Sequence, residues 1–279
     1  MLGAALGHAV WNAIAHRITD KDVGFTLVGL GSAICCVPLL VTQPLPSLQT
    51  VPYLLASVAV HTLYLVFLMR SYRLGDYSHA YPLARGTAPL AVVAFAAVFA
   101  GEQPSLQTMA GVLVVSIGLG LLVLNGGRLT KRDWPATVAA VCTGLLIAVY
   151  TTVDGIGVRA SENVLGYTGW LMFIVSMTVP TYTLVRHREK LLHQIRPVWH
   201  IGLLGGGISL AAYGLVLWAQ STAPLSAVAA VRETSVIIGA IIGTLIFRER
   251  FGPVRIVASV LVVAGIMLIA FEASSGGGT

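Results

Sequence analysis

HAYPLARGTAP, residues 79–89, sets a permanent charge, Arg85, between Pro82 and Pro89 and directly before Gly86, in surroundings that are otherwise apolar. Arginine cannot shed its proton to escape an apolar setting, so the charge must be held by something. The setting is extensive. Of 279 residues, 56% are hydrophobic and only 10% charged, with a mean hydropathy of +0.85. A soluble domain would carry roughly a quarter charged residues. The apolar residues fall in blocks close to the length that crosses a hydrocarbon core of about 30 Å. Backbone in lipid must satisfy its own hydrogen bonds, so these blocks read as helices. The chain is expected to be an all-α integral membrane protein.

Ten spans are predicted, at 2–18, 23–42, 51–72, 77–100, 105–125, 134–155, 164–185, 198–219, 223–247 and 252–272. Fourteen of the 17 Lys and Arg fall in, or within three residues of the span ends that border, the loops after spans 1, 3, 5, 7 and 9. Only Arg159 falls in the loops on the other side, and Arg85 and Arg232 lie deep within spans. Basic residues stay with the cytoplasmic loops, which puts both termini outside the cytoplasm. The net charge of +6 therefore reports topology and not a nucleic-acid surface. Cys35, Cys36 and Cys142 lie in apolar blocks without metal-ligand spacing and read as packing residues. No metal site and no cofactor are expected.

The stretch has a counterpart. Shifted by 147 positions without a gap, Arg85 falls on Arg232, Glu102 on Glu249 and Gly118 on Gly265. Nearer the N-terminus HAVWNA (8–13) matches IAVYTT (147–152) at an offset of 139, the longer loop 186–197 absorbing the difference. Five helices per half is odd, so the second half is expected to be inverted, as in many secondary transporters. The expected division is a first five-helix repeat at 1–126, a cytoplasmic linker at 127–133, a second repeat at 134–272 and a flexible tail at 273–279.

Arg85 lies 9 residues after Asp76 and 17 before Glu102, or about 14 Å and 26 Å along a helix. That depth is within the membrane, nearer the cytoplasmic side; by inversion, Arg232 sits nearer the outer side. Intramembrane charge is costly and marks solute and ion pathways. Pro82, Gly86 and Pro89 are expected to kink or unwind the helix, which is tolerated where backbone lines a cavity. Glu233 follows Arg232 but points about 100° away on a regular helix; it is expected to reach Arg85 instead. Two arginines against one secure intramembrane carboxylate leave excess positive charge, matching an anionic or zwitterionic solute.

Substrate-binding candidates are Arg85, Arg232, Trp11, Asn12, Tyr64, Tyr81, Tyr213 and Trp218, sorted by shared helix faces. Glu233, Asp154 and His8 are the candidates for ion coupling, with a helix cap as the alternative role for Asp154. His61 shares a face with Tyr64, and its plainest role is a helix–helix hydrogen bond. Trp134 and Trp199 read as interface anchors. Gly202/Gly206 and two further GxxxG pairs read as close-packing sites. There is no HExxH, G-x-S-x-G or P-loop pattern and no catalytic residue is expected. The partners expected are a small-molecule substrate and membrane lipid, without nucleic acid, and the oligomer is a monomer or a homodimer.

With HAVWNA in the first span, YPLARGTAPL followed by GE at the end of the fourth, and RETSVI…FRER in the second half, the chain resembles the EamA-type drug/metabolite transporters over about residues 4–272. The resemblance implies a secondary transporter of the bacterial inner membrane, moving a small metabolite by alternating access through a cavity between the repeats. It also implies that Glu102 and Glu249 are structural acids at helix ends. Proton coupling is assigned to Glu233. Two other functions compete: a lipid-linked flippase or intramembrane enzyme acting on an anionic head group, and a non-transporting sensor.

Overall fold

The computed structural model describes residues 3–7, 10, 21–74, 77–125, 133–195, 199–238 and 252–275. Among them all regular structure is helical: α1 (Lys21–Thr42), α2 (Val51–Leu74), α3 (Tyr77–Phe99), α4 (Leu106–Asn125), α5 (Trp134–Ser161), α6 (Val164–Ile195), α7 (Trp199–Thr222), α8 (Leu225–Arg232) and α9 (Pro253–Ser275). Seven of these, α1 to α7, are long and apolar enough to cross a membrane, and α9 adds a shorter apolar core at Ile256–Phe271. Most of the first predicted span (all but 3–7 and 10) and the ninth from 239 onward lie outside the described residues, as do positions 127–132 of the linker and 276–279 of the tail.

Two expected boundaries move. The helix predicted to end at 155 runs to Ser161, and the one predicted to end at 185 runs to Ile195. The second extension covers RHREKLLHQI, rich in residues of high helix propensity, which carry a helix onward once hydrocarbon length no longer limits it. Helix starts follow local capping. Asn163 accepts a hydrogen bond from Gly166 N–H at 2.9 Å at the start of α6, and Ser105 one from Thr108 N–H at 3.1 Å at the start of α4. Trp134 and Trp199 stand exposed as the first residues of α5 and α7, at the ends where interface aromatics belong.

The chain forms two compact units, each built from two separate stretches. The first takes residues 1–58 and 157–222; α1 packs on α6 and α7 there, with Leu54, Val158, Tyr167, Leu171 and Leu217 as its core. Gly202 and Gly206 bring α7 against the backbone of α1, as their spacing predicts. Thr26 and Thr183 share a buried hydrogen bond of 2.9 Å across α1 and α6.

The second unit takes residues 59–156 and 223–279. Here α3 packs on α4 and α8, and α4 on α9. The contact between α4 and α9 is reciprocal. A Cβ on Gly111 would stand 2.8 Å from the Gly265 carbonyl oxygen, and one on Gly118 would stand 2.9 Å from that of Ala258. Shifted by 147, Gly111 becomes Ala258 and Gly118 becomes Gly265, so each position meets the other's counterpart. Val115 and Val262, also 147 apart, share one core cluster. Gly144 fixes a further close approach, since a Cβ there would lie 2.6 Å from the Ala84 carbonyl oxygen. That draws α5 onto α3 one residue before Arg85.

Candidate functional site

The arginine that opens the sequence argument sits on α3, which runs unbroken from Tyr77 to Phe99 with both Pro82 and Pro89 inside it. The unwinding expected at Arg85 is not there. Each proline removes one N–H from the ladder, and Pro89 removes the one that would serve the Arg85 carbonyl. The Thr87 hydroxyl reinforces this stretch by donating to the Leu83 carbonyl at 2.7 Å.

The interruption lies instead in the counterpart segment. Helix α8 ends at Arg232, Glu233 is a turn residue, and helical structure resumes at Thr234. Glu233 N–H donates to the Ala230 carbonyl at 3.1 Å and Val236 N–H to the Glu233 carbonyl at 3.0 Å, both three-residue closures tighter than α-helix. The tightening changes which way the two side chains face. Arg232 Nε comes within 3.9 Å of Glu233 Oε1, a proximity that regular helix geometry would deny to neighbours.

Arg85, Arg232 and Glu233 converge, with relative exposures of 6%, 4% and 0%. Arg85 Nη1 donates to Glu233 Oε1 at 3.3 Å and Nη2 to Ser235 Oγ at 2.9 Å. The expected Arg85–Glu233 pair is present. Arg232 Nη1 donates to Thr151 Oγ1 on α5 at 3.5 Å. One carboxylate oxygen thus faces two guanidiniums, while Glu233 Oε2, the Nε of Arg85 and the Nε and Nη2 of Arg232 make no hydrogen bond.

Aromatic rings line this cluster. Arg85 Cζ lies 5.7 Å from the Tyr81 ring centroid and Arg232 Cζ 6.0 Å from that of Tyr150. The Tyr150 ring is stacked on His61 from α2 at 4.0 Å and met edge-on by Tyr64 at 5.5 Å. All these residues belong to the second unit.

Asp154 is fully buried on α5, seven residues before the helix ends, so it does not cap that helix at the membrane surface. It shares a face with Tyr150 and Thr151. Counting Asp154, the buried groups of this unit include two guanidiniums and two carboxylates, and the expected positive excess does not hold when both acids are ionised.

The short helix carrying Arg232 is held at its other end by a residue distant in sequence. Pro224 precedes α8 and gives no side-chain cap. Glu102, just past the end of α3, supplies one: both of its oxygens accept from Leu225 N–H, at 2.8 and 2.9 Å. A carboxylate at a helix N-terminus also opposes the positive end of the helix dipole. Leu225 in turn packs against Gly155 of α5. Glu102 is structural, as the resemblance implies; Glu249 lies outside the described residues.

Of the remaining candidates, Trp11, Asn12 and His8 lie outside the described residues. Tyr213 and Trp218 belong to the first unit, where Tyr213 packs against its core and Trp218 is 60% exposed. Tyr150, Thr151 and Ser235 were not among the sequence candidates for the site. The 139-residue offset pairs Trp11 with Tyr150 and Asn12 with Thr151, so carrying the nomination through the repeat would have found both. Ser235 has no such signal.

The apolar groove along α4 and α9 is elsewhere; it is lined by residues such as Val260, Met267 and Phe271, and by none of the charged cluster.

With this geometry in hand, comparison with known proteins is decisive for the second half of the chain. Residues 134–271 match the EamA-like transporter family. Over these residues the chain is similar to that family. A solved structure titled only "Crystal structure of protein" is 15% identical to this chain, covers 98% of it and 96% of its own length, and has a TM-score of 0.74. At that identity it shows a shared fold. Among curated proteins no relative matches the chain. The EamA match and the seven membrane-capable helices among the described residues support a multi-pass membrane protein.

Proposed function

We propose that this EamA-family protein is a secondary active transporter of the bacterial inner membrane, carrying a small zwitterionic or anionic metabolite by alternating access. The observation that carries the reading is the convergence of Arg85, Arg232 and Glu233, all nearly or fully buried. A purely structural pair would need one cation for one acid. A second guanidinium with unpartnered donors adds desolvation cost that a bound solute offsets. Asp154 shifts the balance toward the zwitterionic class, since a near-neutral site transfers least net charge across the membrane with such a solute.

Alternating access is supported by the reciprocal Gly111–Gly265 and Gly118–Ala258 contacts, the pattern an internal two-fold between inverted repeats produces. The excess of basic residues on one side supports termini outside the cytoplasm. A periplasm-only reporter fused after Thr279 is then active, and cytoplasm-only activity overturns this orientation.

A thermal-shift screen of amino-acid-like zwitterions, carboxylates and phosphates on purified protein tests the substrate class. A ligand at a hundred times its Kd stabilises by about 2.7 kcal/mol. The transporter reading requires that a stabilising ligand also exchange across proteoliposomes; stabilisation without movement favours a sensor. For coupling, Glu233→Gln is expected to abolish gradient-driven accumulation and spare counterflow exchange. Loss of both would remove the proton-carrier role from Glu233.

A further inference from the structure

The two arginines are not equivalent, and the difference assigns a binding role. Arg85 commits both terminal nitrogens, one to Glu233 and one to Ser235, and although its Nε makes no hydrogen bond, the neighbouring Nη2 of that edge is taken by Ser235. Arg232 commits only Nη1, to Thr151 at the long distance of 3.5 Å. Its Nε and Nη2 make no hydrogen bond although the residue is 4% exposed. Nη2 is the terminal nitrogen on the Nε–H side of the guanidinium, so these two N–H groups point the same way. They form the side-on edge that takes two oxygens of one carboxylate or phosphate.

We propose that Arg232 is the oxyanion receptor of this site, through its Nε–H and Nη2–H edge, and that Arg85 is a strut holding Glu233. The inference rests on the reading of the cluster as a solute site and divides the labour within it. The Tyr150 ring lies beneath the receptor guanidinium and is itself fixed by the His61 stack and the Tyr64 edge. The plane of the fork is thereby set before a ligand arrives, which limits the ordering cost of binding. Glu233 Oε1 stands 3.9 Å from Arg232 Nε, beyond hydrogen-bond length, so the carboxylate biases the guanidinium without occupying its edge. The ligand class is a compound presenting a planar pair of oxygens, as a carboxylate or phosphate does. Its source is a free solute or a lipid head group.

The experiment uses the full-length protein in phosphatidylcholine nanodiscs, labelled with 15N-arginine. The Nε–H resonances are assigned from Arg85→Lys and Arg232→Lys. Sodium acetate and inorganic phosphate are titrated against sodium chloride at matched ionic strength, and a parallel sample contains phosphatidylglycerol. The Arg232 Nε–H resonance is expected to move saturably with acetate or phosphate while that of Arg85 stays in place. Arg85→Lys should retain the Arg232 response. In Arg232→Lys the half-saturating acetate concentration, read from protein thermal stability, should rise by at least about tenfold. If Arg232→Lys does not fold, the wild-type resonance decides. Movement only with phosphatidylglycerol keeps Arg232 as the receptor but assigns the oxyanion to lipid and removes the metabolite-transport reading. An Arg85 response equal to that of Arg232, or an Arg232 resonance silent in every arm, overturns the proposal. A responsive Arg232 in a protein that exchanges nothing would sink the transport reading alone.

Discussion

The segments around Arg85 and Arg232 occupy corresponding positions 147 residues apart, yet each behaves as the other's sequence would suggest. The first has two prolines and a glycine near its arginine and stays helical throughout. The second has neither residue at positions 225–238 and breaks directly after its arginine. Proline costs a helix individual hydrogen bonds, and a neighbouring helix that packs closely can hold the geometry regardless. Here α5 presses on α3 at Gly144. Charge, not backbone chemistry, coincides with the break: the tight turn at Glu233 is what brings its carboxylate to both guanidiniums. A rigid segment holds the arginine whose two terminal nitrogens are both engaged, and an interrupted one holds the arginine with a free Nε–Nη2 edge.

The sharpest way to break this comparison is to remove the carboxylate that the two segments share. Glu233→Ala removes the carboxylate that faces both buried guanidiniums. It is expected to cost about 3–5 kcal/mol, enough to lower the thermal unfolding midpoint in detergent markedly. A near-wild-type midpoint would mean that Glu233 is not the organising acid.

Next come the arginines themselves, compared with each other. Arg85→Ala strands Glu233 and Ser235, whereas Arg232→Ala removes donors that have no partner and one weak bond. Arg85→Ala should therefore be the more destabilising by at least about 1.5 kcal/mol. Arg232→Ala should stay folded but lose stabilisation by ligands found in the metabolite screen. Equal destabilisation would erase the distinction between strut and receptor.

How much of this was legible beforehand depends on the kind of signal. The helical architecture followed from the length of apolar blocks, because lipid leaves backbone few alternatives. The Arg85–Glu233 pair followed from scarcity, since a buried charge needs a partner and few were on offer. The break at Glu233 was invisible because no proline or glycine marks it, and the Thr234 and Ser235 that follow are hydroxyls that membrane helices also carry in their interiors. Asp154 was read as lying near a helix end because the span was drawn to hydrocarbon length, and the helix continues six residues further. Ser235 and Thr151 are small hydroxyls of the kind that membrane helices carry for many reasons, and only the folded geometry aims them at the arginines.

A smaller effect tests the support of the interrupted segment. Glu102→Ala removes the only side-chain hydrogen bond described at the start of α8 and should cost about 1 kcal/mol, in the range of a lost helix cap. Faster amide hydrogen exchange is expected at Leu225 and the residues after it, with α3 unchanged. Exchange that accelerates equally in both segments would mean Glu102 supports the whole unit and not α8 in particular.

The smallest expected effect on stability is at Thr151. Its hydroxyl accepts from Arg232 Nη1 at 3.5 Å, a length at which little hydrogen-bond energy remains. Thr151→Val keeps the shape of the side chain and removes that acceptor. A buried valine needs no polar partner, so the loss should stay below about 1 kcal/mol. The guanidinium, however, loses its described hydrogen bond to α5 and keeps there only the contact with the Tyr150 ring. If Arg232 is pre-set for an oxyanion, the freed guanidinium must be ordered on binding, and ligand affinity should fall about two- to tenfold with the midpoint of unfolding nearly unchanged. The same substitution should leave Arg85 undisturbed, since its partners lie on the Glu233 side. A large loss of stability with unchanged affinity would reverse the assignment, making the Arg232–Thr151 contact a structural tie and leaving Arg85 as the better candidate to reach the solute.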